Sequence, residues 1–270
     1  MDINNFVINR VRRATMFSTT TSAAMWNINQ VESPSLKVTT EKKEAVDAIG
    51  VKITEFERGK AAEFTASNTL FDFGLMAAQS GTDKKIAAVG ATLTMPKWEE
   101  IKLTAAQITA GFITLEEVPV GTSGAEIPFI YKLNGDGTLA AKYSNGAEAA
   151  AATFVLTAAT KKLTFPTGLT AGTRLWIPYE FAATAGVEVY NTAVDFAKAG
   201  KFVMEVLGSD VCDPSKEYYA YVVFPNAKLN GDFDMSFTTD GKHPFTIQAM
   251  QQYCDAEKRL FSVLIPDSVA

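Results

Sequence analysis

Histidine is nearly missing from this chain: there is one, His243, alongside two cysteines, Cys212 and Cys254. A single imidazole excludes a multi-histidine metal centre and leaves only one residue for any histidine-dependent acid–base pair. The cysteines lie far apart among apolar or strand-forming neighbours, which reads as two buried reduced thiols rather than a disulfide. Long apolar runs are also lacking, and none approaches the roughly 18 to 20 residues of a membrane span. Arg10, Arg12 and Arg13 follow the first apolar residues, the reverse of a secretion signal, so a soluble protein made in the cytoplasm with no membrane anchor is expected. Excess positive charge is missing too: the formal net charge is −5, which argues against a generic nucleic-acid binder.

The usual catalytic signatures are absent. There is no phosphate-cradling glycine loop ending in Lys-Ser/Thr and no dinucleotide fingerprint. Asn134-Gly135-Asp136-Gly137 lacks the spaced carboxylates and closing Glu of a calcium loop and reads as a β-turn. Ser123 lies between glycines without nucleophile-elbow spacing. Glu99-Glu100 and Glu116-Glu117 are strand neighbours that point to opposite faces, so each pair reads as solvated surface rather than an acid–base dyad. No catalytic, cofactor-binding or metal-binding residue is assigned, and a non-enzymatic protein without cofactor is expected.

What is present is strand pattern. Hydrophobic residues make up 47% and charged residues 20%, enough to build a sizeable core. Tyr218 to Lys228 reads as a buried strand. Phe233, Met235 and Phe237 alternate with Asp232, Asp234, Ser236 and Thr238, and Phe245, Ile247 and Ala249 alternate with Thr246 and Gln248. Near the N-terminus, Leu36 to Lys42 alternates as a half-exposed strand. Val51 to Arg58 and Lys60 to Ala66 read as two strands meeting in a tight turn at Arg58-Gly59. Ser67 or Asn68 then caps a short helix, apolar over most of its surface, that ends at Gly81. Between residues 105 and 189, short apolar runs are punctuated by Gly, Asn and Pro at the spacing of a small β-sandwich. Residues 1–35 show no sustained period but carry Phe17 and Trp26, as an arm that orders on a neighbouring subunit would.

The strands from Leu36 to Ala66, the helix with Leu75-Met76-Ala77-Ala78-Gln79-Ser80-Gly81, and Tyr218 to Lys228 ending Pro225-Asn226-Ala227-Lys228 resemble the tail tube (major tail) proteins of tailed bacteriophages. The closing Ile247-Gln248-Ala249-Met250 and Leu260 to Pro266 runs are similar as well. The likeness is one of order and texture over about half the chain. It implies a mainly β fold: a tail-tube-like β-sandwich or barrel with one short packed helix, formed by residues 36–104 and 190–270. An immunoglobulin-like β-sandwich at 105–189 would be inserted into it. It further implies a virion protein of the tail, six copies to a ring, with rings stacked into a tube. The partners would be tape-measure protein and transiting DNA in the lumen, and in some tails a sheath.

On that expectation Lys37, Thr39 and Glu41, with Asp232, Asp234, Ser236 and Thr238, are candidates to face the lumen. Phe17, Trp26, Leu70, Phe71, Phe73 and Leu75 are candidates for the subunit interface. Two alternatives stand beside this reading. One is another virion β protein: a tail terminator, a distal tail or baseplate hub ring, or a head decoration protein. The other is a surface-glycan-binding β module, prompted by Trp176, Tyr143 and Tyr179.

Overall fold

The computed structural model describes residues 6–253 and 255–266. The chain opens with strands β1 (Phe6–Phe17), β2 (Ala24–Ile28), β3 (Val31–Val46) and β4 (Lys52–Asn68), followed by helix α1 (Phe73–Ser80). Next come β5 (Lys85–Ile86), β6 (Leu93–Lys102), helix α2 (Ala105–Ala110), β7 (Phe112–Thr114), β8 (Pro119–Val120) and β9 (Phe129–Leu133). They lead to β10 (Leu139–Asn145), β11 (Thr153–Thr157), β12 (Lys162–Thr164), β13 (Arg174–Ala183) and β14 (Val187–Glu188). Strands β15 (Ala199–Asp210), β16 (Asp213–Leu229), β17 (His243–Ala249) and β18 (Ser262–Leu264) follow. The fold is mainly β, as expected, and divides into two compact units. One is built from the two ends of the chain, up to Lys85 and from Val189; the other is Ile86–Glu188. No helix among the described residues is long and apolar enough to cross a membrane.

The first unit is one antiparallel sheet in the order β2-β1-β15-β16-β17-β4-β3, with β18 added beside β16. It curls round a single core. The Trp26 ring on β2, at one edge, lies 5.6 Å from Phe245 on β17, and Phe64, Phe202 and Phe224 fill the space beneath. Helix α1 adds Leu75 and Ala78 to that core. Asp72 accepts a hydrogen bond from the Leu75 N–H at 2.7 Å, so it is the N-cap in place of Ser67 or Asn68. Asn68 instead ends β4, opposite His243. Gly81 closes the helix at φ 75°, a left-handed conformation that costs glycine nothing.

The structure revises the N-terminal reading. Residues 6–28 do not reach outward as an arm; β1 pairs with β15 along its length, and Ala14, Met16, Trp26 and Ile28 are core. Register shifts between Ile8 and Arg10 and between Val11 and Arg13 insert extra residues, which destroys the alternation that would have marked a strand. Arg12 and Arg13 pair with Glu205 on β15 of the same chain. Cys212 is exposed rather than buried, in the turn from β15 to β16, and Cys254 lies outside the described residues.

The second unit orders its strands β6-β13-β9-β10-β11-β12-β7, with β8 beside β13 and the β10–β11 pair parallel. Residues 86–104, expected in the outer fold, belong here, because β6 pairs with β13 along its whole length. The short strands β5 and β14 pair at its two ends. The unit has its own core of Ile127, Ile130, Phe154, Leu163, Leu175 and Ile177. A second helix, α2, was not expected, although Thr104 and Gln107 form a capping box and Gly111 stops it. Tyr143 and Tyr179 are core residues. Glu99 is buried rather than solvated, accepting hydrogen bonds from the Tyr179 hydroxyl and from the Glu116 N–H at 2.9 Å. Burial and that carboxylate together push the Tyr179 hydroxyl pKa well up.

Candidate functional site

The feature that sets this molecule apart is a ribbon made by β3 and β4. Arg58-Gly59 is not a turn: Glu41 faces Gly59 and Lys42 faces Glu57, so Arg58 is a bulge and β4 runs on. The turn lies further out, at Asp47 to Gly50. There the Asp47 carboxylate accepts from the N–H groups of Ile49 (3.0 Å) and Val51 (2.8 Å), and Gly50 sits at φ 86°. β17 supports β4 only from Glu63 to Asn68. From Lys52 to Ala62 the only strand beside β4 among the described residues is β3, a reach of roughly 35 Å at about 3.3 Å per residue.

Gln251, Lys258, Leu260 and Phe261 border the ribbon near Val38 and Arg58 to Lys60. From Glu41 to Glu57 every residue is exposed except the half-buried Ala45, Asp47 and Glu55. Ile49 is 85% exposed and Phe56 56%, with Val46, Val51 and Ile53 beside them. A two-stranded ribbon is marginally stable alone in water, and an apolar tip of this size is unusual on an isolated chain. One device stiffens it: Lys42 and Lys52 converge on Glu55, Lys42 at 2.5 Å, and Lys52 also reaches Glu44 at 2.8 Å. Their hydrogen bonds, Lys42 first, hold the Glu55 carboxyl at a pKa of about 2.

Lys37, Thr39 and Glu41 lie on one face of β3, opposite Glu63, Ala61 and Gly59, and all three are exposed. The other face carries Leu36 and Val38, both exposed, across from Phe64 and Ala62, which belong to the core. Asp232, Asp234, Ser236 and Thr238 are exposed, but they lie in the β16–β17 connection and not in a strand. Phe233 and Met235 are half-buried while Phe237 is exposed, so the alternation records one-sided burial of an extended loop without sheet pairing.

The candidate interface residues divide likewise. Trp26 and Leu75 are buried within their own chain and have no surface to offer. Phe17 is half-buried at the end of β1. Leu70, Phe71 and Phe73 do form an exposed apolar patch, with Phe71 and Phe73 edge-on at 5.0 Å. Beneath it sits His243, buried at the start of β17. Its Nε2 lies 2.7 Å from Gln79 Oε1, its Nδ1 faces the Asp72 N–H, and Phe71 stacks on the ring at 5.4 Å. Burial lowers its pKa, against the opposing pull of Asp72. The tip residues and His243 are what sequence reasoning missed. His243 was findable, since the alternation of Phe245 and Ile247 runs back onto it.

Among the described residues no group of three or more His, Cys, Asp or Glu is placed to hold a metal ion. The fold and surface define a mainly β protein whose distinctive feature is an open sheet ribbon rather than a cleft. The chain belongs to the YomU/Tube protein family, whose model matches residues 6–258. At that level it is a phage-related structural tube protein. A comparison with curated proteins finds no match.

Proposed function

We propose that this chain is the subunit of a phage tail tube, assembling as hexameric rings that stack into a conduit for DNA and tape-measure protein. One observation carries the reading: a long two-stranded ribbon is apolar at its tip and exposed on both faces, as a strand pair would be whose missing support comes from neighbouring copies. Among the described residues β3 is also the edge of its sheet, where backbone groups can pair with another chain. The Leu70, Phe71 and Phe73 patch offers a second contact.

In this reading the Lys37, Thr39, Glu41 and Glu63 face turns to the lumen. Its mixed charges give DNA no basic track on which to stick. The Asp232 to Thr238 stretch loses its support as a wall strand, because its pattern belongs to a connection.

The test replaces residues 42–57 with a two-residue Asn-Gly turn. These residues contribute nothing to the core, so the thermal midpoint of the first unit should move by only a few degrees. Electron microscopy of the purified full chain at high concentration should find rings or tubes, and the shortened variant should find neither. Rings of unaltered number in the shortened variant would remove the ribbon from the assembly contact. Single rings that never stack would favour a terminator or hub ring over a tube.

A further inference from the structure

We propose that the outer face of the second unit's sheet binds a neutral glycan chain. On β13 the residues Leu175, Ile177 and Tyr179 point into the core, so Arg174, Trp176 and Pro178 face out. Register places Glu100 and Tyr131 either side of Trp176, and Trp98 beside Pro178. The result is an aromatic cluster on a sheet face that a β-sandwich normally leaves polar. Trp98 is 71% exposed and lies 6.3 Å from Trp176, and Tyr131 lies 5.4 Å from Trp176. Phe129 extends the strip under the Lys142 ammonium, 4.4 Å from the ring centre.

The chemistry of the strip selects its occupant. Aliphatic side chains are nearly missing from the aromatic rows, whereas a protein interface core would mix them in. Aromatic rings stack on the C–H faces of sugars, and polar groups at the rim bond their hydroxyls. Such groups are at hand: Arg174 donates from Nε to Glu100 at 2.8 Å, holding both side chains fixed beside Trp176. The Tyr131 hydroxyl and the indole N–H groups of Trp98 and Trp176 are not engaged by any described residue and remain available.

Charges of both signs are interspersed, Lys142 and Arg174 against Glu100, which favours a neutral chain over a polyanion. The rings are tilted to one another, at 64° and 40°, and do not lie in one plane. A soluble chain or branch end fits that shape better than the flat face of a crystalline polymer.

This inference rests on the second unit alone and is independent of ring assembly. The full chain is probed on an array of neutral oligosaccharides that includes hexamers of glucose and of N-acetylglucosamine. Bound sugars are then titrated by tryptophan fluorescence. Trp98→Ala and Trp176→Ala should each weaken binding about tenfold or more, and Trp98→Phe should restore part of it. Trp98 is mostly exposed, so a thermal melt of Trp98→Ala should match the parent and keep the test readable. The proposal is overturned if no sugar on the array binds, or if the sugars that bind do so equally well in both alanine variants. Loss of self-association in Trp98→Ala with sugar binding unchanged would mark the face as a protein contact instead.

Discussion

The buried imidazole of His243 shows how one residue ties the helix to the sheet. Gln79 receives its Nε2–H and in turn donates to the Pro244 carbonyl at 3.0 Å, while Asp72, which faces Nδ1, caps the helix. The ring is held neutral, because burial lowers its pKa below the ordinary 6.5. The stability it contributes is therefore complete above that value and is lost as pH falls below it, where the unfolded chain binds the extra proton. Denaturant melts between pH 7 and 5.5 should fall for the parent chain. They should stay nearly flat for His243→Phe, which keeps a planar ring but strands Gln79 at a cost of about 1–3 kcal/mol at every pH. Equal slopes would mean that the ring is not kept neutral by its surroundings. The sequence signal for this site was divided: alternation on β17 pointed inward at His243, while the following Pro244 suggested a turn. Gln79 carried no signal, since a buried glutamine is indistinguishable from a solvated one until its partner is known.

Elements were legible where one period ran unbroken. The core half of β4, with Ala62, Phe64 and Ala66, and the inward row of β17 could be read directly from alternation. The presence of α1 and its stop at Gly81 were legible from an apolar run ending in glycine, while its start was not. Where the period broke, reading failed for identifiable reasons. Bulges at Asn9 and Arg12 hid β1, and the bulge at Arg58 imitated a turn because glycine follows both features. Phe233 and Met235 imitated a strand because burial, and not hydrogen bonding, sets alternation.

Gly81 provides a test at this scale. A side chain there would be held at positive φ and would run into the Phe196 backbone. Gly50, at the ribbon turn, has positive φ but open space around it. Gly81→Ala should cost about 2 kcal/mol or more and Gly50→Ala only about 1, measured as denaturant midpoints. Equal costs would mean that the helix end is not packed as described.

For the whole molecule, the sequence pointed to a mainly β chain with a separate middle unit and a phage-related tube family, and it left the organising feature unseen. The ribbon reads as ordinary strand and turn, because exposure on both faces is a property of what surrounds a strand. Family membership and an open, apolar-tipped ribbon together support self-assembly as the role of the first unit. The middle unit, with its own core and aromatic face, is free to serve a different purpose.

Hydrogen exchange of the ribbon amides from Lys42 to Glu57 tests the central claim most directly, in the unassembled chain and in the assembled particle. In the isolated chain these amides should exchange almost as freely as an unfolded segment, and assembly should slow them by about a hundredfold or more. Ribbon amides that exchange at the same rate in both states would contradict the account, because the ribbon would then owe nothing to its neighbours.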